Sequence, residues 1–392
     1  MAEGHRNTLL VLIQQDGNNE CADCGEKKID WASSTFGVFL CQACAGIHEI
    51  LASPQSRIKS LYLDKWNEEQ VQVMRTIGNR QAKLKYEQYV PVYYKKPTSQ
   101  SVYVLKKEWI VAKYQRLEFT DPARQTAYDC VTKTGFLWKL GRDRKQFAQR
   151  RFLLSRADNT LCYYVNEDGN KQRQPKSVVD LDFLNAVFVP EKIGNPFGLQ
   201  LTYIKDGSTR SLFLYSDSSK EIVDWFMCIR ATKWERRKIA FPDRDLTQLS
   251  EDLTNEFSME GWLSKMGPKN EPFKRRWFTL DGRKLMYFEE PLHAYAKGEV
   301  FIGHKDAGYR LSIGGEVAYS RKSMTSSGSN YCFTLHTPDR NFVMRAESRD
   351  DLEKWVIALE KIIEQPLTPY DSKLAALLVP KKTSGTFRLI KR

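Results

Sequence analysis

Cys21-Ala22-Asp23-Cys24 and, sixteen residues later, Cys41-Gln42-Ala43-Cys44-Ala45-Gly46-Ile47-His48-Glu49 form the stretch whose reading decides the N-terminal fold. Two Cys-x-x-Cys knuckles at that separation can close on one tetrahedral Zn²⁺, each thiolate at roughly 2.3 Å from the metal. Four protein ligands leave no position open for water or substrate. The spacing therefore predicts one structural zinc ion held by Cys21, Cys24, Cys41 and Cys44. Cys130, Cys162, Cys228 and Cys332 follow no framework spacing and are expected as reduced, mostly buried thiols.

Around the knuckles, the composition sets limits. A chain of 392 residues is too long for one ordinary core, so two to four domains are expected. No stretch approaches the roughly 20 apolar residues of a membrane span, and Leu9 to Ile13 is too short an apolar run for a signal peptide. An intracellular, soluble protein is the expectation. The formal charge of +13 calls for an anionic partner, which charge alone leaves open between nucleic acid, phosphoinositide-bearing membrane and phosphoproteins. A DNA-binding zinc module needs a basic helix beside the knuckles, and Ala45 to Ser53 contains no Lys or Arg. Nucleic acid is therefore not expected as the partner.

The chain divides into a first block, 1–122, and two blocks that repeat each other. Asn7 to Gln14, Glu68 to Ile77 and Leu105 to Arg116 read as helices in the first block. Gly135-Phe136-Leu137-Trp138-Lys139 reappears as Gly261-Trp262-Leu263-Ser264-Lys265, and Arg150-Arg151-Phe152-Leu153-Leu154 as Arg276-Trp277-Phe278-Thr279-Leu280. Each repeat reads as short aromatic-rich strands, with an Asp206-Gly207 hairpin turn in the first, followed by a helix around Trp225 or Trp355. The predicted fold class is multidomain α+β, with two strongly bent antiparallel sheets, each closed by a C-terminal helix. Both repeats resemble pleckstrin-homology (PH) domains. The expected boundaries are 131–234 and 256–364 for these, 235–255 for a linker and 365–392 for a flexible tail.

The PH resemblance implies phosphoinositide sites. A headgroup with several phosphates needs cations converging on one point, and strand residues two apart face the same side. The family pattern is a Lys ending strand one, an Arg on strand two and a Tyr on strand three. Lys139, Arg150 and Tyr163 meet it in the first copy, with Arg142 and Lys176 as further candidates. Lys265, Arg276 and Tyr287 meet it in the second, with Lys274 and Lys297 nearby.

Residues between and after the knuckles carry a second resemblance. Asp30-Trp31-Ala32-Ser33, Gly37-Val38-Phe39-Leu40, Gly46-Ile47-His48, Ser56-Arg57-Ile58-Lys59-Ser60-Leu61, Leu63-Asp64, Trp66 and Gly78-Asn79 together resemble the ArfGAP domain over residues 7 to 120. With two PH domains behind it, the architecture is similar to the centaurin-α group, the ArfGAPs with dual PH domains. The resemblance implies an Arf-family small GTPase as partner and stimulation of GTP hydrolysis by an arginine inserted at the γ-phosphate, worth on the order of 10³–10⁵ in rate. The family places that arginine five residues after the fourth cysteine. Here the residue is Glu49, and the weak substitute Arg57 matches a family position of its own.

Two readings follow from this resemblance. One is a membrane-recruited Arf regulator with GTPase-activating (GAP) activity; the other is a GAP-inactive phosphoinositide-binding adaptor on the same scaffold. Either implies a monomeric, peripheral membrane protein that binds phosphatidylinositol 3,4,5-trisphosphate and soluble inositol polyphosphates. It would rest in the cytoplasm and move to the plasma membrane.

Overall fold

A computed structural model of the chain describes residues 2–51, 56–141, 146–165, 174–267, 271–314 and 331–378, with side chains from residue 4. Arg142, expected at the first lipid site, lies outside the described residues. Helix α1 spans Ala2–Leu12, so it begins before the expected Asn7. Strands β1 (Trp31–Ser33), β2 (Val38–Leu40) and β3 (Ile58–Ser60) form a small antiparallel sheet in the order β2-β1-β3. Helix α2 (Gln42–Ile50) follows directly from the second knuckle. Helix α3 (Glu68–Thr76) is stopped at its start by a capping box: Asn67 accepts from Gln70 N while the Gln70 side chain returns to Asn67 N. Helices α4 (Gly78–Tyr86) and α5 (Tyr103–Ile110) complete the block, and a π turn at Val111–Gln115 prolongs α5.

The first repeat forms β4 (Thr132–Leu140), β5 (Phe147–Ser155), β6 (Thr160–Tyr164), β7 (Ser177–Asp180), β8 (Asn185–Phe188), β9 (Leu199–Lys205) and β10 (Ser208–Tyr215), with the short helix α6 (Pro190–Ile193) before β9. The strand order is β7-β6-β5-β4-β10-β9-β8, antiparallel throughout. Asp206 and Gly207 both take positive φ, 54° and 75°, the two left-handed residues of a type I′ hairpin turn. Strand β4 pairs with β5 along its full length but meets β10 only through Leu214–Lys139 and Tyr215–Trp138. The sheet opens at that corner, and the corner is where Lys139 sits.

Helix α7 (Ser219–Ala240) closes the sheet and places Trp225, 1% exposed, against Gly135, where a Cβ would lie 3.3 Å from the indole. The motif glycine makes room for the helix tryptophan. The helix runs on through the first six residues of the expected linker. Its inward face there is polar: Arg230 donates to Tyr93 O (2.8 Å), Ser250 O (2.9 Å) and Thr254 Oγ1 (2.6 Å), and Trp234 packs on Leu249 and Leu253. The remaining linker contains helix α8 (Leu246–Glu251).

The second repeat forms β11 (Met259–Lys265), β12 (Lys274–Asp281), β13 (Lys284–Phe288), β14 (Gly298–Phe301), β15 (Arg310–Ile313), β16 (Cys332–His336), β17 (Asn341–Arg345) and helix α9 (Arg349–Glu364). Its order, β14-β13-β12-β11-β17-β16-β15, reproduces the first, and β11 meets β17 only at Ser264–Arg345 and Lys265–Met344.

Two features depart from independent domains joined by flexible segments. One buried cluster runs from Val38, Leu40 and Trp109 of the first block to Phe152, Leu161 and Trp225 of the first PH domain. Helix α10 (Pro369–Leu378), within the tail expected to be flexible, is docked between the two PH domains. Tyr370 stacks on Phe183 at 5.2 Å and under the Arg237 guanidinium at 4.1 Å, while Arg283 pairs with Asp371 at 3.3 Å. Residues 379–392 lie outside the described residues.

Candidate functional sites: a four-thiol knuckle and two cationic mouths

Gly25, at φ 70°, turns the chain so that Cys21 N reaches Glu26 O (2.8 Å), which folds the first knuckle back on itself. Cys41 occupies the N-cap of α2 and Cys44 its first turn. The four Sγ atoms all lie within 4.8 Å of one another, with Cys24 and Cys41 at 3.6 Å, and all four residues are buried. A tetrahedral ion with sulfur at about 2.3 Å requires sulfurs roughly 3.8 Å apart. The donor set therefore fits zinc, in a closed, structural manner.

Behind the thiols lies a polar network that the motif reading did not include. Asp23 is buried and accepts from His48 Nε2 (2.9 Å), Lys113 Nζ (3.0 Å) and Tyr114 OH (3.0 Å). Lys113 also reaches Ala22 O and pairs with Glu87 at 2.9 Å, and His48 Nδ1 meets Ser56 Oγ at 3.1 Å. Burial alone would push the Asp23 carboxyl up, but Lys113 and His48 outweigh it and hold it well below the usual range. Burial likewise opposes the Lys113 charge, and Tyr114, Asp23 and Glu87 more than restore it. The π turn carries both Lys113 and Tyr114 to the one carboxylate, and its Arg116 N bonds back to Val111 O across five residues. His48 packs within this network.

Because His48 points inward, Glu49 points out. It is exposed near the end of α2, beside Ile50, which is 63% exposed. Arg57 is also exposed; its backbone is tied to Thr35 Oγ1 and to Ser34. Asn79 is buried and joins two segments, accepting from Phe39 N (2.7 Å) and donating to Glu20 O (2.7 Å).

In the first PH domain, Lys139, Arg150, Tyr163 and Lys176 line a single cavity of about 800 Å³, together with Lys205 and Arg210. Lys139 Nζ sits 5.1 Å from the Tyr163 ring centre and donates to Leu140 O, while Arg150 donates to Gln149 O. Lys176 N donates to Tyr163 O at 2.8 Å, which brings that lysine to the rim. No Asp or Glu lines this cavity among the described residues.

The second mouth repeats the geometry closely. Lys265 Nζ lies 5.3 Å from the Tyr287 ring and donates to Met266 O, Arg276 donates to Arg275 O, and Lys297 N donates to Tyr287 O at 2.8 Å. Burial, then the crowding of Arg340 and Arg276, lowers the Lys265 ammonium from its ordinary range. Here, though, carboxylates intrude: Lys297 pairs with Glu289 at 2.8 Å and Lys274 with Glu271 at 3.6 Å.

A four-thiol knuckle domain sharing its core with one PH fold, which is followed by a second, defines a zinc-binding ArfGAP protein with tandem PH domains. The sequence matches the ArfGap family of GTPase-activating proteins for Arf over residues 6–123 and the PH domain family over 131–233 and 257–364. It is 40% identical to Arf-GAP with dual PH domain-containing protein 2 of Homo sapiens over 381 residues, 95% of this chain and 97% of that protein. The Rattus norvegicus protein of the same name is also 40% identical, over 94% of this chain and 96% of its own. Human stromal membrane-associated protein 1 matches the first block alone, at 41% over 120 residues, which are 30% of this chain and 25% of that protein. The chain belongs to the family of ArfGAP proteins with dual PH domains. No helix among the described residues is long and apolar enough to cross a membrane.

Proposed function

We propose that the chain is a peripheral regulator of Arf-family GTPases, recruited from the cytoplasm to the plasma membrane by 3-phosphorylated inositides. Phosphatidylinositol 3,4,5-trisphosphate and soluble inositol polyphosphates are its headgroup ligands. One zinc ion on Cys21, Cys24, Cys41 and Cys44 holds the Arf-binding domain, and the protein acts as a monomer. The observation that carries the reading is the cavity on which Lys139, Arg150, Tyr163 and Lys176 converge, with no Asp or Glu in its lining among the described residues. Several phosphates within one small ring need such convergence, and each charge-assisted hydrogen bond there is about twice as strong as a neutral one. Arg142 is expected to join this set, and Lys265, Arg276, Tyr287, Lys274 and Lys297 form its counterpart in the second domain.

At the finger position the exposed carboxylate of Glu49 supports an Arf-binding adaptor rather than a working GAP. A carboxylate cannot donate to the γ-phosphate oxygens, whereas an interface uses a broad surface and does not depend on one transition-state contact. The test is single-turnover GTP hydrolysis by an Arf on vesicles carrying the trisphosphorylated lipid. Glu49→Arg should accelerate hydrolysis at least a hundredfold over wild type, only with the lipid present, and the advantage should disappear in Arg150→Ala/Arg276→Ala. Equal, rapid stimulation by wild type would refute the adaptor reading, and lipid-independent binding in the double variant would refute the headgroup assignment.

A further inference from the structure

The segment joining β13 to β14, residues 289–297, belongs to the second PH domain yet touches both mouths. Its ends stand at the second: Glu289 pairs with Lys297, whose N donates to Tyr287 O. Gly298, immediately after it, lies under the Tyr287 ring so closely that a Cβ would fall 2.2 Å from the hydroxyl. Its middle leaves its own domain. Ser211 N of β10 donates to Ala294 O at 2.8 Å, and Arg210 and Tyr295 pair as an antiparallel bridge. Thr209 N donates to the Glu299 carboxylate, and Leu292 packs against the cluster of Leu140, Val187 and Phe213. Leu292, His293, Ala294 and Tyr295 thereby line the first domain's cavity.

We propose that His293 and Tyr295 of the second PH domain are part of the first domain's headgroup site, so that a multiply phosphorylated inositol bound there is read by both domains at once. The inference rests on the first cavity being a headgroup site, as proposed above. Two physical effects support it. The Tyr295 ring lies 5.3 Å from the Arg210 guanidinium, which is also bonded to Asp206 at 2.8 Å, so the arginine is held in place before any ligand arrives. Arg210 Nε is moreover a buried donor with no acceptor among the described residues, a group that a phosphate oxygen would satisfy after a small side-chain shift. His293 adds a ring N–H to a lining that also carries Lys, Arg, Tyr, Ser and Gln donors; its Nδ1 lies 4.0 Å from Glu289 and its Nε2 3.8 Å from Glu290, on its own loop. A wall on this side also excludes water, and charge pairs strengthen as the surrounding dielectric falls.

The experiment uses the full chain carrying Arg276→Ala, which silences the second mouth. Soluble inositol 1,3,4,5-tetrakisphosphate is titrated by calorimetry, and vesicles bearing the trisphosphorylated lipid are tested by flotation. Against that background His293→Ala should weaken both arms about tenfold, the loss of one hydrogen bond to a charged group. Tyr295→Ala should weaken them about fivefold and Tyr295→Phe hardly at all, since the ring rather than the hydroxyl holds Arg210. His293→Ala should also change the preference for the tetrakisphosphate over a trisphosphate lacking one of its groups, which a merely loosened domain contact would leave alone. Parent-like binding by His293→Ala and Tyr295→Ala, with Arg150→Ala inactive, would overturn the inference while leaving the cavity assignment intact. Loss confined to the vesicle arm would also overturn it, because the loop would then be touching bilayer. Full binding by Arg150→Ala would remove the cavity assignment, and the inference with it.

Discussion

Replacing Lys233 by Met should make this protein more stable at neutral pH, by an amount that depends on pH. The Lys233 side chain is buried on the inner face of α7, and its ammonium donates to a neutral acceptor, Leu184 O. Burial pushes it down to about 7, with Arg237 and Arg230 adding to the effect while Asp281 and Asp182 oppose it. In the unfolded chain the amine titrates at about 10. Below pH 7 both states hold the proton, and the native state bears the whole cost of a desolvated charge, about 4 kcal/mol for the difference between the two values. From 7 to 10 the unfolded state binds the proton and the native state does not, so stability rises with pH by about 1.4 kcal/mol per unit. Above 10 that cost is gone.

Lys233→Met removes the titration but leaves Leu184 O without its donor, which costs about 1–2 kcal/mol. The variant should therefore exceed wild type by about 2 kcal/mol at pH 7 and fall to parity or below near pH 10. Urea unfolding of both chains at pH 7, 8 and 9 measures this, and titrations common to the two cancel in the difference. A difference that stays constant across that range, or a variant weaker at pH 7, would refute the reasoning. It would mean that the amine is solvated or paired through Asp281.

Two further predictions concern the joints. Burial raises the Asp281 carboxyl, but Lys284, Thr202 (2.7 Å) and Asn185 (2.8 Å) outweigh that and hold it below its ordinary range. Its contribution is thus present above the ordinary carboxyl range, about pH 4, and lost as pH falls through the lower native value. Asp281→Asn should weaken the docking of the two PH domains by about 3 kcal/mol, seen as faster proteolysis within 241–258; unchanged cleavage would exclude this role. Cys44→Ser should abolish zinc binding, measured as metal per chain, and melt the first block. It should also lower headgroup affinity at the first PH domain, through the core that the two share. Undiminished affinity would show that the two fold independently.

The convergence of Lys139 and Arg150 on one cavity was legible because its geometry is local: strand alternation puts them on one side, and the repeat supplied the same pattern twice. The knuckles were legible from spacing for a similar reason. Asp23 was not, since its partners Lys113 and Tyr114 lie about ninety residues away and reach it only through a π turn. The end of α7 was not legible because Arg230, Lys233 and Arg237 look like solvated surface residues, whereas each is turned inward onto a backbone acceptor, a threonine or a tyrosine. Short edge strands such as Ser177–Asp180 and Arg310–Ile313 carry too few residues to show a period. The role of residues 292–295 was not legible because what they touch belongs to another domain.

The continuous core between the zinc block and the first PH domain has a consequence for inheritance. A cut at residue 122 would part Tyr94 from Tyr128, whose rings lie 5.9 Å apart, and Glu108 from Ser219, which donates to it at 2.7 Å, and would open the cluster that the two blocks share. Either half of this chain, taken alone, would expose that shared surface to water. A lesion beside the thiols would therefore be felt in the first PH domain, through packing that belongs to both.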